Sequence, residues 1–176
     1  MLKKPEGGCA MELWDGYDGQ WNQTGVDLVR GEPIPEGLYH LVADVVVRHT
    51  DGTYLVTRRC EDLPNAPGLW QAGAGGSVCK GEHLLEGARR ELWEETGIEA
   101  DALSPLYQVR SEEKHALYGG FLCVTDRPKD AVHLQAGETI AYRWLSREEL
   151  VELVASSDFV PGLRGRLTPC LEGGTL

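Results

Sequence analysis

Gly76-Ser77-Val78-Cys79-Lys80-Gly81-Glu82-His83-Leu84-Leu85-Glu86-Gly87-Ala88-Arg89-Arg90-Glu91-Leu92-Trp93-Glu94-Glu95-Thr96-Gly97-Ile98 is the stretch on which the reading of this chain turns. Leu84, Leu85, Ala88 and Leu92 recur at helical spacing, and Gly97 stands where a left-handed cap ends a helix. On such a helix Glu91, Glu94 and Glu95 occupy i, i+3 and i+4, so three carboxylates share one side with neighbouring Cβ atoms roughly 5–6 Å apart. They repel one another. Glu94 and Glu95 also lie at the negative end of the helix macrodipole, which disfavours each by roughly 0.3–1 kcal/mol. Two local rules broken at one place mark a functional position. A divalent cation, Mg²⁺ or Mn²⁺, removes both objections, because hard oxygen ligands at this spacing share such ions and leave room for water and phosphate. An isolated E-x-x-E-E also fits a solvated acidic face.

Outward from this segment, Gly73 to Gly76 holds three glycines in four positions, which allows positive φ or close approach to a ligand. Upstream, Leu41 to Val47 is valine-rich, Asp51-Gly52 is a turn signal and Tyr54 to Thr57 is apolar and β-branched, which predicts a hairpin in the core. Residues 62–68 read as a loop. Nearer the start, Glu12 to Gly25 alternates aromatic and polar residues around Asp18-Gly19, predicting a smaller hairpin with its turn at that dipeptide, and Gly31 to Gly37 reads as a connector. Downstream, strands are expected at Leu106 to Arg110, Gly120 to Thr125 and Ala141 to Leu145. Ser146 and Glu149 form a capping-box pattern ahead of Leu150, Leu153 and Val154, which predicts a second helix. The tail after Thr168 reads as poorly ordered. Helices interspersed among hairpins favour an α+β domain with helices packed on a mixed sheet.

The 176 residues suit one domain, 1–176, large enough to bury a core without disulfide staples. Lys and Arg number 17 against 28 Asp and Glu, and the resulting charge of −11 argues against binding nucleic acid polymers or anionic membranes. An anionic small molecule would need a cation as mediator. Five cysteines, Cys9, Cys60, Cys79, Cys123 and Cys170, are odd in number and contain no C-x-x-C pair, which points to a reducing cytoplasm rather than a disulfide framework or zinc knuckle. Met1 to Gly8 carries two lysines with no apolar stretch behind them, and no later segment approaches the ~18 apolar residues of a membrane span.

The spacing Gly76, Glu82, Arg90-Glu91-Leu92, Glu94-Glu95, Gly97-Ile98 fits G-x5-E-x7-R-E-U-x-E-E-x-G-U, with U aliphatic. A chance match in this length is on the order of one in ten million. The segment resembles the box, residues 76–98, of the Nudix hydrolases, which cleave pyrophosphate bonds with a divalent metal. That resemblance implies a loop, helix and loop packed on a mixed sheet in an α/β/α sandwich, here with an N-terminal hairpin and connector at 12–37. It implies Glu91, Glu94 and Glu95 as the main ligands of Mg²⁺ or Mn²⁺, Glu82 as a further acid, Arg90 as the residue orienting them and the Gly75 carbonyl as an added ligand. A downstream acid is also implied, with Glu138 the candidate and Glu112 and Glu113 its competitors. Which carboxylate serves as general base stays open.

A wider resemblance, over roughly Glu12 to Pro161, is to the Nudix branch that includes isopentenyl diphosphate isomerase. It rests on Leu13-Trp14-Asp15, Tyr39-His40-Leu41, Leu55 to Arg59, Pro67 to Trp70 and Tyr142-Arg143-Trp144. The cysteine and histidine that the isomerase needs fall at Gly75 and Ser77, so neither is present, and Cys79 is out of register. His40 matches a ligand position of the isomerase but reads as structural here. The expected activity is therefore hydrolysis of a nucleoside diphosphate linked to another moiety, or a similar organic pyrophosphate. Isomerisation and a silent nucleotide-sensing module are the alternatives. Arg58 and Arg59 are candidate phosphate contacts, Trp70 and Tyr118 candidate stacking surfaces, and a homodimer is an open arrangement.

Overall fold

The computed structural model describes residues 12–176, so the readings of Met1 to Gly8 and of Cys9 lie outside the described residues. The valine-rich run forms β3 (His40–His49), which is buried on both faces. Leu41, Ala43, Val45 and Val47 join one core, and Val46 points into a second on the opposite side. Burial on both faces explains why the run is apolar at successive positions rather than alternating, interrupted only by Asp44. Its parallel neighbour is β8 (Ala116–Thr125), in register from His40 opposite Ala116 to His49 opposite Thr125.

β4 (Tyr54–Arg59) returns from the expected turn, where the Asp51 carboxylate accepts from the Thr53 amide at 3.0 Å and its hydroxyl at 2.7 Å. β3 and β4 pair only at Val47 with Leu55 and Arg48 with Tyr54 before they part. The glycine-rich segment fills the gap. β5 (Trp70–Ala72) pairs with β4, and β6 (Ala74–Ser77) pairs with β3. Between them Gly73 adopts φ +64° and is held by its amide on the Leu55 carbonyl at 2.9 Å and by the Thr57 hydroxyl on its own carbonyl at 2.7 Å. A Cβ here would collide with the Val45 carbonyl oxygen. Gly73→Ala should therefore lose ~3 kcal/mol or more, from left-handed strain plus a backbone clash. Gly52→Ala has the same sign of φ, +91°, but open space, and should lose only ~1–2 kcal/mol. Denaturant midpoints of the two variants check the difference.

α1 (Leu84–Thr96) lies on the first core through Ala88 and Leu92. Gly97 caps it at φ +71°, its amide on the Trp93 carbonyl at 2.8 Å. Leu85, read as part of the buried face, is instead exposed, because α1 rotates its apolar stripe toward Leu84, Ala88 and Leu92. β7 (Ser104–Ser111) extends the sheet beyond β8, and β9 (Thr139–Leu145) extends it beyond β4. α2 (Arg147–Ala155) starts at the expected capping box, with Ser146 Oγ accepting from the Glu149 amide at 3.2 Å and Glu149 accepting from the Ser146 amide at 2.7 Å.

The tail reading is corrected by α3 (Pro161–Glu172), which spans Thr168 and continues past it. Gly162, Gly165 and Pro169 weaken its intrinsic propensity, but Leu163, Leu167, Cys170 and Leu171 form an apolar face buried in the second core, and packing decides. Arg166 bolts α3 to the sheet through Asp44 at 2.9 Å, where the Tyr107 hydroxyl also donates at 2.7 Å. Helices on both faces of a mixed sheet complete the expected α/β/α sandwich.

The N-terminal hairpin is present as β1 (Leu13–Tyr17) and β2 (Gln23–Val29), a separate two-stranded sheet. Its turn starts at Asp18, whose carboxylate accepts from the Gln20 amide at 2.8 Å and the Asn22 amide at 2.9 Å. The left-handed residue is Trp21 at φ +68° rather than Gly19, so the loop is longer than the two-residue turn expected. The hairpin grips the segment before α1: the Lys80 amide donates to the Leu13 carbonyl at 2.9 Å and the Gly81 amide to Asp15 at 2.7 Å. Among the described residues no helix is long and apolar enough to cross a membrane.

Candidate active site

The loop before α1, α1 itself and the end of β6 meet at the acidic face of the helix. Arg90 is at the centre. Its guanidinium donates to both oxygens of Glu82, at 2.7 and 2.9 Å, to Glu91 at 2.7 Å, to Glu94 at 3.4 Å and to the Ser77 carbonyl at 3.1 Å. One planar fork thus ties the loop before α1, the helix and the end of β6 together. Glu82 also accepts from the Cys79 amide at 3.0 Å. Burial alone would raise its carboxyl, but Arg90 and that amide outweigh burial and hold it below its ordinary value.

Gly76 leaves the space that Glu91 occupies. A Cβ on Gly76 would lie 2.5 Å from the Glu91 carboxyl carbon and 2.6 Å from both its oxygens. Burial raises the Glu91 carboxyl and the Glu94 charge adds to this, against the pull of Arg90. Glu95 is more enclosed, at 5% exposure. Burial pushes its carboxyl well up, the Glu91 and Glu138 charges push further, and Arg59 and the Gly75 amide oppose them. Glu95 is therefore a buried acid, and Glu91 a half-buried one, whose charges are only partly offset by Arg59 and Arg90. Among the described residues no three ligating side chains already converge in the manner of a preformed metal cage. Arg90 occupies the centre of the Glu82, Glu91 and Glu94 group instead.

Glu138 precedes β9, and its carbonyl accepts from the Cys60 amide at 2.7 Å. Its charge acts on Glu95. The competing acids are engaged elsewhere: Glu112 pairs with Arg110 at 2.8 Å and accepts from the Tyr39 hydroxyl, and Glu113 pairs with Lys114 at 3.1 Å. Arg58 is tied to the Gly68 carbonyl at 2.9 Å and Glu61 at 2.9 Å. Trp70 and Tyr118 already carry guanidinium groups over their rings, Arg143 at 4.7 Å and Arg166 at 3.8 Å.

Gln71 escaped the sequence reading. It is 6% exposed, donates to Glu95 at 3.0 Å and accepts from Arg59 at 3.1 Å. A glutamine beside a tryptophan in an unassigned strand gives no periodic signal, and its role depends on β5 inserting between β3 and β4.

His40 lies at the start of β3, packed in the interior. It is 9% exposed, stacks on Trp14 at 4.1 Å, and its Nδ1 has no hydrogen-bond partner among the described residues. Burial lowers its pKa to about 4. The unfolded chain therefore binds the proton near pH 6.5 and the folded chain only near 4, so stability falls as pH drops through that window, by about 3 kcal/mol in full. Denaturant midpoints from pH 7 to 4.5 should fall less steeply in His40→Gln than in the parent chain.

The NUDIX domain family matches residues 38–163. The Nudix hydrolase lmo0368 of Listeria monocytogenes is 32% identical over 155 residues, 86% of this chain and 89% of that protein. The Nudix hydrolase YfcD of Escherichia coli is 34% identical over 139 residues, 78% of this chain and 76% of that protein. Among solved structures, DR0079 of Deinococcus radiodurans superposes with a TM-score of 0.72 at 22% identity, covering 92% of this chain and 98% of that one. The MutT protein of Methanosarcina mazei gives 0.61 at 26%, over 78% and 95%. A C. elegans Ap4A hydrolase gives 0.54 at 21%, over 76% and 98%.

Proposed function

This chain belongs to the Nudix family of pyrophosphate-bond hydrolases, and we propose that it uses Mg²⁺ or Mn²⁺ to cleave a nucleoside diphosphate linked to another moiety, or a similar organic pyrophosphate. The observation that carries the metal reading is the pairing of Glu91 and Glu95. Glu91 is seated where Gly76 has no side chain, Glu95 is nearly enclosed, and the Glu91 charge adds to the cost of ionising Glu95. Buried like charges of this kind fit a hard cation that supplies the missing positive charge. The residues proposed to hold it are Glu91, Glu94 and Glu95, with Glu82, Glu138 and the Gly75 carbonyl contributing. When bound, such a cation neutralises phosphate oxygens and lowers the pKa of an attacking water.

The protein's own residues do the rest. Arg90 holds Glu82 and Glu91 in a fixed orientation. A carboxylate left free of ligand duty accepts the proton of the attacking water. The charge of −11 repels bare polyanions, so the proposed substrate is a small molecule that arrives with its phosphates neutralised. A cytoplasmic setting and a homodimer belong to the same proposal. Isomerase chemistry lacks its groups: Gly75 and Ser77 lie in β6, and the Cys79 thiol is pushed up by burial rather than activated. The test is incubation with Mg²⁺ and a panel of nucleotide sugars, dinucleoside polyphosphates, oxidised nucleotides and isoprenoid diphosphates. Two phosphorylated products from a nucleoside diphosphate derivative are expected. Conversion of isopentenyl to dimethylallyl diphosphate, or no turnover of any compound, would overturn the proposal.

A further inference from the structure

We infer that Arg59 and Gln71 form a positioning relay that fixes Glu95 for its cation, an inference that rests on the metal-holding reading above. The geometry starts from donor counting. An arginine offers only donors and a carboxylate only acceptors, so neither an acid nor a base of fixed sign could bridge Arg59 to Glu95. A glutamine can. Its Oε1 accepts from Arg59 Nη1 at 3.1 Å, which leaves Nε2 facing Glu95 Oε2 at 3.0 Å. Because Arg59 takes the oxygen, the amide cannot turn over without breaking both bonds at once.

Arg59 is itself anchored. Its Nε and Nη2 donate to the Asn65 carbonyl at 3.1 and 2.9 Å, so three of its five N–H groups are spent on holding a fixed pose. It lies opposite Thr139 in the β4–β9 ladder, one residue from Glu138, and the next residue, Cys60, donates its amide to the Glu138 carbonyl. Residues 59–71 therefore bind the loop ahead of β5, the Glu138 loop and Glu95 into one frame. A bonding partner behind a metal ligand fixes its orientation, and removing such a partner typically lowers metal affinity or activity about 10–100-fold. A rival role for Arg59 is direct contact with substrate phosphate.

The two roles separate in a double-mutant cycle read by Mn²⁺ binding to the full-length chain without substrate, followed by electron paramagnetic resonance of free Mn²⁺. Gln71→Met is expected to weaken Mn²⁺ binding about 10-fold or more, and Arg59→Met to weaken it in the same direction. The double variant should add little to Gln71→Met, because Arg59 acts through the amide. Circular dichroism and the thermal midpoint report folding. If Gln71→Met fails to fold, Arg59→Met, at a half-buried position, carries the test alone. Unchanged Mn²⁺ affinity in folded variants, or a raised KM with additive effects in the double variant, would overturn the relay while leaving the metal reading intact. Failure of the parent chain itself to bind Mn²⁺ would overturn both.

Discussion

Glu95→Gln should abolish most of the activity and at the same time stabilise the metal-free protein. The activity loss is expected at about 10²–10⁴-fold, the range for removing a group that works directly on the reacting centre. The stability gain follows from the electrostatics. Burial and the neighbouring Glu91 and Glu138 charges hold the Glu95 carboxyl well above its ordinary value, so the folded chain keeps this proton more tightly than the unfolded chain. The charged form accordingly costs stability above the ordinary carboxylate range, and the cost grows as pH rises toward the raised folded value. Glutamine keeps the shape and the acceptor facing Gln71 but removes the charge. In EDTA at neutral pH the variant should unfold at higher denaturant than the parent, and the gain should vanish below pH ~4, where both forms are neutral. Saturating Mg²⁺ should reverse the order, since only the parent gains full stabilisation from binding.

Arg90→Met should produce the largest loss of stability at the site. One guanidinium offsets Glu82, Glu91 and part of Glu94, and its side chain is only 24% exposed. Removing one partner of a buried ion group leaves uncompensated charge, at a cost of about 3–5 kcal/mol. For a domain of this size that lowers the thermal midpoint by about 10 °C. Lysine should restore little, because a point charge cannot reproduce the paired bonds to Glu82 while also reaching Glu91 and the Ser77 carbonyl. Calorimetry with and without Mg²⁺ checks the account: the ion should recover part of the loss by binding the carboxylates that Arg90 releases.

These expectations depend on features of unequal visibility in the sequence. The helix and its carboxylates were legible because period and spacing are local, and Gly97 and the Ser146 capping box marked ends by side-chain chemistry alone. The space at Gly76 was not legible. Its meaning lies in the Glu91 carboxylate across a turn, a contact fixed only when β6 lies beneath α1. Neither β5 nor β6 is legible, and β6 shows only as the glycines of 73–76, because three- and four-residue strands carry too few residues for an alternating pattern. α3 was hidden by Gly162, Gly165 and Pro169, and its Arg166 meets Asp44 only through the tertiary fold. Gln71 had no signal, since a lone amide acquires its role from the acid and base placed on either side of it.

Turnover of a responsive substrate in ¹⁸O-labelled water, with the products weighed by mass spectrometry, shows whether box carboxylates and a divalent cation direct water onto a pyrophosphate bond. Mg²⁺-dependent products with one ¹⁸O in a phosphate group are expected, and their loss in Glu95→Gln. Products free of label, or turnover undiminished by EDTA and by Glu95→Gln, would contradict that chemistry.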